Sequence, residues 1–81
     1  MRIRVLLFGA EAAAAGRREV SVDLDADATC AALKRALERA EPALRPLLGV
    51  ARVAVNSEFA PEEQRIQPGD EVALIGMVSG G

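Results

Sequence analysis

Histidine, tyrosine and tryptophan are absent from this sequence of 81 residues, which carries one cysteine and two phenylalanines. Each absence closes a route. Without an imidazole there is no histidine general base and no histidine metal ligand. One thiol, Cys30, cannot close an internal disulfide, and it cannot build a zinc or iron–sulfur site, which takes about four ligands. No apolar run approaches the roughly 20 residues of a bilayer-spanning helix, and the N-terminus lacks the positive, apolar, cleavage-site order of a secretory signal. Ten basic residues against twelve acidic give a net charge of −2. With no long run of one sign, neither a nucleic-acid partner nor a membrane partner is expected. A reducing, cytoplasmic location is the matching expectation. The sequence opens on Met1, and its last residue is expected to be the natural terminus.

Length fits one domain. A chain this small buries roughly 60% of the surface of its extended form, so the margin over conformational entropy must come from a well-fitted core or from a partner.

Periodicity orders the elements. In Arg2 to Phe8, Ile3, Val5 and Leu7 share one face, while Leu6 and Phe8 break the alternation, as in a strand covered on both sides near its end. Gly9 to Arg18, with Ala12 to Ala15 ahead of Gly16, offers little apolar surface and reads as a loop with at most a helical turn. Glu19 to Leu24 alternates with Val20, Val22 and Leu24 inward, completing a hairpin. Thr29 is a good N-cap for a helix whose stripe is Cys30, Leu33, Leu37 and Ala40, widened by Ala36. Pro42 stops that helix, and Leu44, Leu47 and Leu48 fold a short second turn onto the core. Val53 and Val55 define a third strand, Asn56 and Ser57 a tight turn, and Glu58 to Ala60 a short edge segment. Pro68 to Asp70 is a turn cluster ahead of a short apolar strand, Val72 to Ile75. The order gives a two-layer α+β domain, residues 1–75, with one sheet face uncovered, followed by a tail, residues 76–81, without inward period.

Side-chain chemistry is nearly absent. Cys30 lies on the apolar helix stripe and reads as a packed small hydrophobe. Glu62 with Glu63, and Asp70 with Glu71, are adjacent acids that diverge and read as solvated turn residues. Lys34, the single lysine, falls opposite Leu33 and Leu37 and reads as solvent-facing. Gly9 and Gly16 lack the spacing and the lysine of a phosphate loop.

The end of the chain stands apart. With average glycine usage of about 7%, a Gly-Gly terminus arises by chance in about 0.5% of sequences. Six residues from Gly76 reach about 20 Å when extended. Glycines without a Cβ can pass a channel closed to other residues. A terminal carboxylate on such a tether suits another protein's active site; a frayed end is the default for any terminus. Composition leaves both readings open.

Arg2 to Phe8 with its glycine-containing loop, Thr29-Cys30 with Leu33 and Leu37, Val53-Ala54-Val55-Asn56, Gly69-Asp70-Glu71-Val72-Ala73 and Val78-Ser79-Gly80-Gly81 together resemble the small subunit of molybdopterin synthase. The likeness runs over almost the whole chain. It implies the ubiquitin-like β-grasp fold: a mixed sheet, one main helix on one face and a flexible C-terminal tail. It also implies a sulfur carrier, in which an E1-like enzyme consumes ATP to adenylate Gly81 and a sulfur donor protein converts the adenylate to a thiocarboxylate. The tail then enters the large synthase subunit, where two such carriers deliver the dithiolene sulfurs of molybdopterin to cyclic pyranopterin monophosphate. In that account Gly81 carries the sulfur, Gly80 and Ser79 thread, and Val78 and Met77 anchor the base of the tail. Phe8 or Leu6 on the uncovered face meets the partner. No bound cofactor is implied.

Two departures from the family pattern stand out. Gly76-Met77 replaces the usual pair of prolines, which implies a less stiff tail. Alanine also replaces the arginine and larger side chains usual in the first loop. Other readings of the same end are a carrier for thiamine thiazole formation or tRNA thiolation, conjugation of Gly81 to a target lysine, and a plain interaction module with incidental glycines.

Overall fold

The computed structural model describes residues 1–76. Strand β1 (Arg2–Leu7) buries Ile3, Val5 and Leu7 and leaves Arg2 and Arg4 exposed. Strand β2 (Glu19–Asp23) returns antiparallel to it, with Val22 opposite Ile3 and Val20 opposite Val5, so the inward residues of both strands share a face. Helix α2 (Cys30–Ala40) covers that face with Cys30, Leu33, Ala36 and Leu37. Ala40, assigned by its spacing to the same stripe, is exposed: it is the last helical residue, and the chain leaves helical geometry at Glu41. A 3₁₀ turn (Pro42–Leu44) and a single-turn helix, α3 (Arg45–Leu48), bring Leu44 and Leu48 into the core.

Strands β3 (Arg52–Val55), β4 (Glu58–Phe59) and β5 (Val72–Ile75) complete a five-stranded sheet in the order β2-β1-β5-β3-β4. Strand β5 lies in the centre, parallel to β1 and antiparallel to β3. This mixed sheet with its helical layer on one face is the α+β, β-grasp arrangement expected from the sequence.

The tract after β1 departs from expectation. Gly9–Ala15 is a helix, α1, and not a loop. Alanine is the best helix former, and Gly16 closes the helix in the left-handed region at φ 70°, where its N–H donates to the Ala12 carbonyl. Ala12 and Ala15 pack against the core. Tertiary packing thus supplies the stability that seven residues lack alone.

The N-terminus of α2 shows where its free donors go. Thr29 Oγ1 accepts from the Ala32 N–H at 3.3 Å, while the Cys30 and Ala31 N–H groups donate to the carbonyls of Gln64 and Glu62. The connection between β4 and β5 therefore acts as a strap over the start of the helix, held further by Ile66 N–H to the Ala28 carbonyl. That strap changes the reading of Lys34. Its side chain is only 18% exposed, its Nζ donates to the Ala51 carbonyl at 2.6 Å, and Glu62 lies 3.6 Å away. The aliphatic stem is covered and the ammonium ties α2 to the segment entering β3, so Lys34 is not the solvent-facing residue its position opposite Leu33 indicated.

The turn residues form a latch. Asn56 and Ser57 carry φ of 52° and 71° between Val55 and Glu58, the two-residue geometry of a hairpin with both central residues left-handed. The Asn56 amide donates to Asp70 Oδ1 at 3.1 Å and its carbonyl accepts from the Glu71 N–H at 3.0 Å. Asp70 Oδ2 accepts from the Gln67 N–H at 2.8 Å. The Asn56 side chain thus joins the β3–β4 hairpin to the start of β5, beside the main-chain bond from Asn56 N–H to the Glu71 carbonyl.

Cys30 is buried beside Leu33 and Leu37, as expected for a packed thiol. Burial pushes its pKa up, against a smaller lowering by Lys34 and with a further rise from Asp70.

Two outcomes follow for stability. Asn56→Ala should cost about 1–2 kcal/mol, since it removes two hydrogen bonds and places a Cβ-bearing residue without local side-chain compensation in the left-handed region. Thermal denaturation followed by circular dichroism should show Tm lower by roughly 5–10 °C. Asn56→Gly, which retains the backbone freedom, should lose about half as much. For Cys30, the native state holds the thiol proton more tightly than the unfolded chain. Its contribution is therefore present below the unfolded thiol pKa of about 8.5 and is lost as pH rises above it. Urea unfolding at pH 7 and above pH 9 should show this decline in the wild type and a smaller one in Cys30→Ala.

Candidate functional site

The sheet face opposite α2 carries no covering element among the described residues. Its two halves differ in chemistry. Towards β2 it is charged, with Arg2 Nη1 3.0 Å from Asp23 Oδ1 and Arg4 Nε 3.6 Å from Glu19 Oε2. Towards β4 it is apolar. Leu6 lies opposite Ala73, Ala73 opposite Ala54, and Ala54 opposite Phe59, so one row of small and apolar side chains crosses four strands. Ile75 lies opposite Arg52 on the same face.

Two large side chains stand at the ends of this patch. Phe59 on β4 is 54% exposed, with the Arg52 guanidinium carbon 4.2 Å from its ring centroid. Phe8 is 52% exposed and occupies the N-cap of α1, one residue past the end of β1. Between them lies a shallow depression of about 310 Å³, floored by Ala54 and Ala73 and walled by Leu6, Phe8, Phe59 and Ile75, with Ser57 and Glu71 as its polar lining. Small residues in the middle of the sheet and large ones at its margins make the face concave. Both phenylalanines of the chain are spent here and none in the core, the reverse of the usual placement of an aromatic side chain.

The chain leaves the sheet at the same place. Parallel pairing sets Leu7 beside Leu74, so the residues that follow each strand, Phe8 and then α1 after β1 and Gly76 after β5, emerge at one end of the sheet. Helix α1 abuts that exit. Glu11, in its first turn, is the one buried charged residue among the described residues, at 3% exposure. Its carboxylate lies over Gly76, where a Cβ would stand 2.7 Å from Glu11 Cδ and in collision with both carboxylate oxygens.

Of the residues expected to form the site, Phe8 and Leu6 lie on the open apolar face beside the exit. Met77, Val78, Ser79, Gly80 and Gly81, with the expected tail, lie outside the described residues. Glu11 escaped sequence reasoning because alanines surround it; its spacing from Ala12 and Ala15 sets it on their inward face, and that was the available signal. Arg52 and Phe59 were separated by the turn that brings them together. Among the described residues no cluster of three or more cysteine or acidic side chains is placed to hold a metal ion, and no helix is long and apolar enough to cross a membrane.

Residues 5–81 match the model of the ThiS family. The chain is 34% identical over 83 residues to the molybdopterin synthase sulfur carrier subunit of Dictyostelium discoideum, covering 99% of this chain and 96% of that protein. Among solved structures, small archaeal modifier protein 1 of Haloferax volcanii is 36% identical with a TM-score of 0.88, and the match spans 100% of both chains. A chain from the complex of subunits 1 and 2 of the molybdopterin-converting factor of Helicobacter pylori 26695, 23% identical with a TM-score of 0.70 and 100% of both chains covered, shares the fold. Fold, length and sequence agree, and the chain belongs to the ThiS family of ubiquitin-like sulfur carriers.

Proposed function

We propose that this chain is the sulfur carrier subunit of a molybdopterin synthase, with the carboxylate of Gly81 as its reactive group. The observation that carries the reading is the near full-length identity to a carrier subunit of that enzyme, joined to the Ser79-Gly80-Gly81 end. The geometry supports it. The segment that carries the glycines leaves the sheet beside an exposed apolar face, so one partner surface can hold the domain while the terminus enters an active site.

A carboxylate is a poor acyl donor because oxide is a poor leaving group. An E1-like enzyme therefore acts first: a Gly81 oxygen attacks the α-phosphorus of ATP, pyrophosphate departs, and the acyl group now has AMP as its leaving group. A persulfide on the donor protein attacks the acyl carbon, and AMP leaves with the C–O electron pair. A second thiol then cleaves the S–S bond of the acyl disulfide, forming a disulfide with the donor's cysteine and releasing Gly81 as a thiocarboxylate; free sulfide would give the same product in one step. In the large synthase subunit each carrier gives up one sulfur, and two carriers complete a dithiolene on the pterin precursor. The active sites belong to the partners, and the carrier contributes the tether, the docking face and the acyl group. Since activation consumes ATP, the cytosol is the compartment of this chemistry.

The likeness to small archaeal modifier protein 1 favours a second reading, in which the activated Gly81 joins a lysine amine of a target protein. The same first step serves both, and the acceptor distinguishes them.

Incubation with an E1-like activator, ATP and a sulfur source, followed by intact-mass measurement, should show one oxygen replaced by sulfur. Deletion of Gly81 should abolish the change, and Cys30→Ser should retain it. Addition of the large subunit and pterin precursor should consume the sulfur and yield molybdopterin. An unchanged mass with an activator competent on its own carrier would overturn the carrier reading, whereas stable adducts to protein lysines without sulfur transfer would establish the second one.

A further inference from the structure

The crossing of α1 over the end of β5 presents a contact that the carrier chemistry described above leaves unused. Glu11 has lost almost all contact with water, and a carboxylate in that position is stable only when its oxygens are filled by donors. None of the ion pairs or side-chain hydrogen bonds formed among the described residues includes it. Both oxygens face the main chain at Gly76, close enough that a Cβ there would push the carboxylate from its place. The main chain at Gly76 is what the structure sets directly against them.

We propose that Glu11 is a positioning residue for the C-terminal segment: its carboxylate clamps the main chain where it leaves β5 at Gly76 and so sets the direction in which the segment carrying Gly81 departs from the sheet. The pairing explains two features together. Gly76 is glycine because the carboxylate occupies the space of its side chain, and Glu11 is tolerated on the inward face of α1 because the exiting backbone receives it. Direction matters for a terminus that must enter a partner's active site while the open face docks, since a segment already aimed loses less freedom on entry. The functional half of the inference rests on the carrier reading; the structural half stands without it.

Two arms test it on the full chain. In the first, amide resonances and hydrogen exchange of Gly76, Met77 and Val78 are compared in wild type, Glu11→Ala and Glu11→Gln. The Ala variant should move these resonances and lower protection by about tenfold, the loss of about one hydrogen bond. The Gln variant, with a carbonyl acceptor of the same shape, should recover part of it. Unchanged amides in Glu11→Ala would overturn the clamp. Gly76→Ala should destabilise the wild type but cost less in the Glu11→Ala background, because the collision is gone; equal costs would also overturn it.

In the second arm, ATP-dependent sulfur loading is measured with the activating enzyme. Glu11→Ala should raise KM for the carrier about fivefold with kcat within about twofold, a split that loss of general stability would not give. An unchanged KM would remove the functional half. If the wild type takes up no sulfur, the carrier reading fails, and the amide arm still decides the role of Glu11.

Discussion

The parallel pairing of β1 with β5 is the constraint around which everything else is arranged. Parallel neighbours cannot be joined by a tight turn, and these two strands are the first and last among the described residues. All the intervening chain must therefore fit around their edges: one hairpin beside β1, one helix beneath, a second hairpin beside β5. Because the two strands run the same way, their C-terminal ends lie together. The start of α1, the exposed Phe8 and the departing Gly76 become neighbours through topology, with no special sequence needed to gather them.

This placement separates stability from recognition. The buried face is aliphatic, with Leu33, Leu37, Leu44, Ile66 and Leu74 almost wholly enclosed, and needs no partner to be dry. The opposite face keeps apolar side chains in water, shaped into a shallow depression between two phenylalanines. The half of each ring left in water gives nothing to the isolated fold, beyond the guanidinium of Arg52 set against Phe59. The ion pairs of Arg2 and Arg4 lie on the β2 side of the same face, so the apolar patch has a charged margin.

Much of the fold was legible in the sequence because the strands alternate cleanly and α2 has a strong apolar stripe with a good cap. The order of elements, the Thr29 cap, the turn at Asn56 and the apolar β5 all follow from period and turn chemistry. What escaped has a common cause. Helix α1 depends on packing that a run of alanines does not advertise, Lys34 depends on a strap from residues far along the chain, and the seating of Glu11 on Gly76 joins positions separated by most of the sequence. Local pattern reports local preference, and each of these is a long-range contact. The candidate site is a different matter. Phe8, singled out by a broken alternation, lies at the open face, and the C-terminal glycines, singled out by their rarity, lie outside the described residues; Phe59 and Arg52, which complete the patch, needed the strand register.

Lys34 bears on the chemistry of an activated terminus. An acyl-adenylate reacts with any free amine nearby, and the basic side chains of this sequence are otherwise arginines, whose guanidinium remains protonated and unreactive near neutrality. The single lysine is hydrogen-bonded to a carbonyl and paired with Glu62, and the N-terminal ammonium is held by the Leu24 carbonyl. Both primary amines among the described residues are thus engaged with acceptors, so on the chemistry proposed above an activated terminus would meet neither as a freely presented nucleophile on a second chain.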